Sequence, residues 1–229
     1  MHLKPDACVL DVGCGNGAYS KKILQKIPQG KFTGIDPSQN MLDIARETLA
    51  DYSNVILEEI DVTEMRFIND FDCIVSFWCL QWVPDIVLAF KNMYQALKKE
   101  GKVLTIFSMG DDPFINMYRA VKASRKFAEL DNFSVPIDYS QFDGLDKRLA
   151  LIPFKSFELK QCRQSVELPS LDTYRKFVHG ISFYQGQVEP DRIYEINEAM
   201  VTAFDELCQK EYGGKYLFDM SLQVATGIK

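Results

Sequence analysis

The sequence predicts an α/β protein built on a doubly wound, mainly parallel seven-stranded sheet, with a helical cap inserted after the fifth strand. Three observations carry this. Short apolar runs that end in glycine or an acid alternate with segments of helical period as far as about residue 109. Beyond that point the alternation gives way to long helical and aromatic stretches. Near the C-terminus two further strand patterns appear, the last expected to be antiparallel.

Cys8–Val12 is apolar and runs into glycine, which is the pattern of a strand buried on both faces. Ala18–Ile27 has helical spacing at Ile23, Leu24 and Ile27, and Pro28 is expected to end it. Lys31–Asp36 is the second strand. Ser38 is placed to cap a helix that runs to about Asp51 and turns Met41, Leu42, Ala45 and Leu49 inward. Val55–Ile60 is the third strand, ending at Asp61, and Phe71–Phe77 is the fourth. A helix is expected over Ile86–Leu97 with Gly101 as its stop, then a fifth strand over Val103–Phe107. The periodicity next predicts one long helix over Asp112–Leu130 and a polar, aromatic segment to Leu145. A strand over Phe154–Leu168, helices over Leu171–Val178 and Asp191–Tyr212, and a final strand over Tyr216–Thr226 complete the chain. Parallel strands joined by helices imply right-handed crossovers.

A length of 229 residues fits one domain over 1–229, with about 110–155 and 170–190 as cap segments facing a substrate. The net charge of −6 argues against partners held through nucleic-acid phosphates, and leaves a small molecule or a small carrier presenting one. No run of 18 or more apolar residues is present, so no membrane span is expected. Met1–Asp6 lacks the apolar core of a signal peptide. The six cysteines contain no Cys-x-x-Cys pair and read as free thiols of a reducing cytoplasm. With His2 and His179 as the only imidazoles, no metal site is expected.

In an open α/β sheet, ligands bind outside the carboxyl ends of the strands. Strand one ends there in Asp11-x-Gly13-x-Gly15-x-Gly17, strand two in Asp36 and strand three in Asp61. Glycines let the backbone turn tightly and approach a ligand. Asp36 follows Gly13 by roughly the 20 residues expected of a carboxylate that binds ribose hydroxyls. An acid ahead of the first glycine is poorly placed beside a pyrophosphate and suits a ligand with an ammonium group and no phosphate. This pattern resembles the class I methyltransferases that use S-adenosylmethionine, over about residues 7–109. The resemblance implies that Gly13, Gly15 and Gly17 give the cofactor backbone access, and that Asp11 lies near its amino-acid moiety. It also implies that Asp36 binds the ribose, that Pro37 and Met41 pack near the ribose or adenine, and that Asp61 and Val62 receive the adenine. Phe77, at the end of strand four, joins this cofactor set.

A narrower resemblance lies in Ser76-Phe77-Trp78-Cys79-Leu80-Gln81-Trp82-Val83-Pro84-Asp85. It is similar to the strand-four end of small-molecule carboxyl methyltransferases, the group of the trans-aconitate, juvenile hormone acid and malonyl-carrier enzymes. Their shared reaction, O-methylation of a free carboxylate, implies a small carboxylic acid or carrier-linked acid as acceptor. A carboxylate is already a nucleophile, so such a site works by in-line positioning and exclusion of water. Trp78, Trp82 and Gln81 are the positioning candidates. Trp78, Trp82, Tyr118, Arg119 and His179 are the substrate-binding candidates. The family carries a helical segment ahead of strand one where this chain has Met1–Ala7, so the alternative is a non-catalytic adenosyl-binding module of the same fold. Methylation at nitrogen or carbon of another small molecule is a further alternative.

Overall fold

The computed structural model describes residues 2–229. Seven strands, β1 (Cys8–Val12), β2 (Lys31–Asp36), β3 (Val55–Glu59), β4 (Phe71–Phe77), β5 (Leu97–Ser108), β6 (Ser156–Glu167) and β7 (Leu217–Ile228), form one sheet in the order β3-β2-β1-β4-β5-β7-β6. The pairs β1–β2, β1–β4, β2–β3 and β4–β5 are parallel. The last strand runs the other way. Lys229 N–H donates to Gly101 O at 3.0 Å, Lys155 N–H to Ile228 O at 2.8 Å and Leu168 N–H to Tyr216 O at 2.8 Å, so its end meets the starts of β5 and β6. The strand order reverses between β1 and β4. Their carboxyl ends therefore flank the crevice where this class of sheet holds ligands.

The chain divides into two compact units. The first comprises the residues up to Phe107 with Tyr139–Gln161 and Gln223–Lys229, and the second Ser108–Asp138 with Cys162–Leu222. The segments read from sequence as cap fall on both sides of this division, and 139–155 belongs to the first unit.

In the first unit, α1 (Ala18–Leu24), α2 (Gln39–Thr48), α3 (Ile86–Ala96) and the five-residue α5 (Leu145–Leu149) accompany the sheet. Val9, Phe32, Cys73 and Val75 from the strands pack with Ile23, Leu24 and Ile27. Ser38 caps α2 by accepting from Met41 N–H, and Asp85 caps α3 by accepting from Leu88 N–H at 2.9 Å. Two boundaries differ from expectation. α1 stops at Leu24, and the tight turns Lys26 N–H to Ile23 O and Ile27 N–H to Leu24 O precede Pro28. Gly101 is not the stop of α3: that helix ends at Ala96, Leu97 is extended, and Gly101 lies inside a longer β5. Gly101 is needed there for close approach, since an added Cβ would lie 2.7 Å from Lys98 O.

In the second unit, α4 (Pro113–Ala123), α6 (Leu171–His179) and α7 (Pro190–Tyr212) pack around aromatic side chains. Tyr174 stacks on Phe204 at 3.9 Å between centroids, and its hydroxyl donates to Pro113 O at 3.2 Å. The single helix expected over 112–130 is broken. α4 ends at Ala123, Arg125 adopts a left-handed φ of 55°, and a short 3-10 turn follows over Ala128–Leu130. The break is supported locally, because Ser124 Oγ donates to Val121 O at 2.6 Å. Asp112 starts α4 by accepting from Ile115 N–H at 3.1 Å, and also accepts from Ser108 Oγ–H at 2.7 Å. Asp112→Ala is expected to lower stability by about 1–2 kcal/mol, read as a lower urea midpoint with an unchanged slope. Asp112→Asn keeps the cap and is expected to recover most of that loss. Among the described residues no helix is long and apolar enough to cross a membrane.

Candidate functional site

A cavity of about 470 Å³ opens at the carboxyl ends of β1, β2 and β4. Its floor is the turn after β1. Gly13, Gly15 and Gly17 have φ of 71°, 54° and 78°, the left-handed region that side chains with a Cβ avoid. Gly13 and Cys14 both donate their N–H to Ile35 O, at 2.8 and 3.0 Å, which ties the turn to β2. Asp36 completes the tie: Oδ2 accepts from Gly15 N–H and Oδ1 from Ser38 N–H, each at 2.9 Å. A carboxylate has about four lone-pair positions, so about two stay available to ligand hydroxyls.

Asp11 lies deeper. It is 2% exposed, and Oδ2 accepts from the buried Ser20 hydroxyl at 2.7 Å. Burial pushes its carboxyl up to about 6 against the opposing pull of the Ser20 bond, and neighbouring Asp36 adds to the rise. The thiol of Cys79 reports the field at the site. Burial pushes it up to about 12, and the charges of Asp36, Asp11 and Asp61 push the same way. Three strand-end carboxylates thus act on one point, while among the described residues no Lys, Arg or His lines the cavity. Such a site favours a ligand with positive charge and hydroxyl donors.

Most of the remaining wall is apolar or aromatic. Pro37 and Met41 line one part, and Phe77, Trp78 and Trp82 another, with both indoles 37% exposed. Tyr19 also lines it, its ring 5.6 Å from that of Phe77. Tyr19, Asn16, Cys14 and Cys79 were not among the sequence candidates. Tyr19 was signalled only by its position two residues after Gly17, and Cys79 only as one of six free thiols. Gly17 does not line the cavity. It sits at the start of α1, where an added Cβ would press Leu49 at 3.1 Å. Asp61 and Val62 follow β3 outside the lining. Asp61 Oδ1 accepts from Thr63 N–H and Oγ–H at 2.7 and 2.6 Å, and Val62 O accepts from Asn92 at 2.9 Å. Gln81 is buried, donates to Trp78 O at 2.9 Å and leaves its Oε1 without a partner among the described residues.

The remaining candidates belong to the second unit. Tyr118 is buried against Phe133 and Phe183, at 5.7 and 5.1 Å between centroids, and its hydroxyl has no partner among the described residues. Arg119 donates to Gly110 O at 3.2 Å. His179 is paired at 2.9 Å with Glu198, which Arg175 also contacts at 3.0 Å. Burial raises the Glu198 carboxyl, but the bonds from His179 and Arg175 outweigh it and hold the group below its usual range.

Residues 9–101 match the family described as a methyltransferase domain. The chain is 30% identical over 133 residues to malonyl-acyl-carrier-protein O-methyltransferase 1 of Ilyobacter polytropus, covering 55% of this chain and 49% of that protein. It is 36% identical over 108 residues to demethylmenaquinone methyltransferase of Staphylococcus aureus, covering 46% and 45%. The chain therefore spans about half the length of the curated relatives it matches. In fold it is similar to YcgJ of Bacillus subtilis, with TM-score 0.62, 16% identity, and coverage of 99% of this chain and 93% of that one. It is also similar to phosphoethanolamine N-methyltransferase 2 of Haemonchus contortus, with TM-score 0.63, 19% identity, and coverage of 99% and 49%.

Proposed function

We propose that this cavity binds S-adenosylmethionine and that the chain methylates a small molecule, a reading supported by the match of residues 9–101 to a methyltransferase domain. The observation that carries the proposal is the convergence of Asp11 and Asp36 on a cavity that, among the described residues, no Lys, Arg or His lines. When bound, the cofactor supplies a methyl group on a sulfonium, which passes to the acceptor as the carbon–sulfur bond breaks. Asp11 holds the ammonium of the amino-acid moiety. Asp36 accepts from the ribose hydroxyls with the lone pairs that Gly15 and Ser38 leave over. Pro37 and Met41 pack around the nucleoside, whose adenine would reach past the cavity lining toward Asp61 and Val62. The aromatic wall excludes water and orients the acceptor for in-line attack.

The acceptor we favour is a free carboxylate, on a small acid or one carried by a carrier. The Leu80–Asp85 stretch supports it, as does a relative that methylates a malonyl carrier. Such an acceptor is already a nucleophile and needs no general base. A second reading has a specific observation behind it. The two indoles and two acids that line the cavity suit an uncharged planar acceptor better than an anion, and another relative is a demethylmenaquinone methyltransferase.

The test starts from fluorescence, because Trp78 and Trp82 are the only tryptophans. S-adenosylhomocysteine is expected to quench their emission with saturation, and Asp36→Ala to weaken the binding by about 100-fold, the effect of losing charge-assisted bonds to two hydroxyls. Equal affinity in wild type and mutant would overturn the cofactor assignment. Methyl transfer from labelled cofactor to a panel of free acids, against quinols and amines, then decides the acceptor class.

A further inference from the structure

Between β4 and α3, the loop 78–85 carries both tryptophans, and its backbone is strained. Trp78 has a φ of 62°, in a region that a bulky residue enters only when its surroundings over-determine it. Hydrogen bonds supply that constraint. Trp78 N–H donates to Ile106 O and Gln81 Nε2–H to Trp78 O, both at 2.9 Å, fixing the start of the loop. Its exit is fixed by one side chain from far along the chain. Gln141 Nε2–H donates to Val83 O at 3.1 Å, while Gln141 Oε1 accepts from Ile86 N–H at 3.2 Å. Ile86 N–H is one of the first-turn donors of α3 that has no partner within the helix. An amide offers a donor and an acceptor on one short head, so glutamine meets both demands at once. Gln141 is itself held: its carbonyl accepts from Arg148, and the adjacent Phe142 stacks on Phe107 at 5.8 Å.

We propose that Gln141 is the positioning residue that sets the tryptophan loop, and with it the acceptor wall of the cavity. The acceptor wall rests on the methyl-transfer reading, whereas the hold on the loop does not. Because both tryptophans lie on this loop, emission from the full chain reports its state alone. Gln141→Ala is expected to raise the acrylamide quenching constant about twofold and to shift emission to the red, as the loop opens locally. Its affinity for S-adenosylhomocysteine, measured by calorimetry, is expected to stay within about threefold of wild type, since Asp11 and Asp36 are held by other bonds. Gln141→Glu retains the acceptor for Ile86 but loses the donor to Val83, so its quenching should fall between the two. It also serves as the test if the alanine variant does not fold. Quenching equal to wild type in the folded variants would overturn the proposal. So would a cofactor affinity that falls in step with quenching, because the effect would then be general loosening. If the wild type does not bind S-adenosylhomocysteine, the methyl-transfer reading fails, while the quenching comparison still decides the role of Gln141.

Discussion

Asp11→Asn is expected to make the ligand-free protein more stable at pH 7, by up to about 3 kcal/mol, while removing most of its affinity for the cofactor. The folded carboxyl titrates at about 6 against a reference of 3.8, chiefly because it is buried. A shift of about two units corresponds to about 3 kcal/mol. The sign follows from proton binding. Between the two values the folded state binds more protons than the unfolded one, so this group's contribution to stability falls as pH rises from 3.8 to 6. Above pH 6 the cost of the buried charge is fully present, and below 3.8 it is gone. Asparagine does not titrate, keeps an oxygen for the Ser20 hydroxyl and removes that cost. The gain should therefore be largest at pH 7 and close to zero near pH 4, which urea unfolding at the two values would read. Cofactor binding is expected to move oppositely with protonation. An ammonium group needs the ionised carboxyl, so wild-type affinity should fall about tenfold per unit below pH 6 and level off above it, whereas the variant should show weak affinity without that slope. A variant less stable than wild type at pH 7 would mean that the buried charge is compensated within the fold.

The sheet and the turn after β1 were legible because their demands are local. Glycines spaced as Gly13, Gly15 and Gly17 mark a backbone with positive φ, and an acid at Asp36 lies at the distance set by one strand-helix-strand unit. What Asp36 does within the fold was not legible. Its bonds to Gly15 and Ser38 depend on side-chain direction, so it serves as a staple of the turn as well as a candidate ligand. Gly101 was misread because glycine answers two different needs, a helix end and a close backbone approach, and only the latter applies. The break at Arg125 was invisible because arginine is a good helix former and nothing local in sequence announces a left-handed residue. Gln141 was missed for the opposite reason: its partners Val83 and Ile86 are 58 and 55 residues away, and no periodicity encodes such a pairing.

Gly13→Ala is expected to be the most damaging single methyl that can be added at the site. The new Cβ would lie 2.3 Å from Cys79 Sγ and 2.4 Å from Cys79 Cβ, on a residue whose φ is 71°. Two costs combine. The left-handed backbone costs a residue with a Cβ about 1–2 kcal/mol, and overpacking against a neighbour costs about 1–3 kcal/mol. A turn displaced from Cys79 also loses the alignment that Ile35 O and Asp36 impose on it, so cofactor affinity should fall by about 100-fold or more. The two costs are separable, because the clash ends at Cys79 Cβ and the Cys79 Cα would stand 3.7 Å away. Adding Cys79→Gly should therefore restore about 1–3 kcal/mol and part of the affinity, leaving the backbone strain in place. Denaturant unfolding and calorimetry on the four members of this cycle give both terms. A double variant no better than Gly13→Ala alone would assign the whole loss to φ and would remove Cys79 from the account of why a glycine stands at this position.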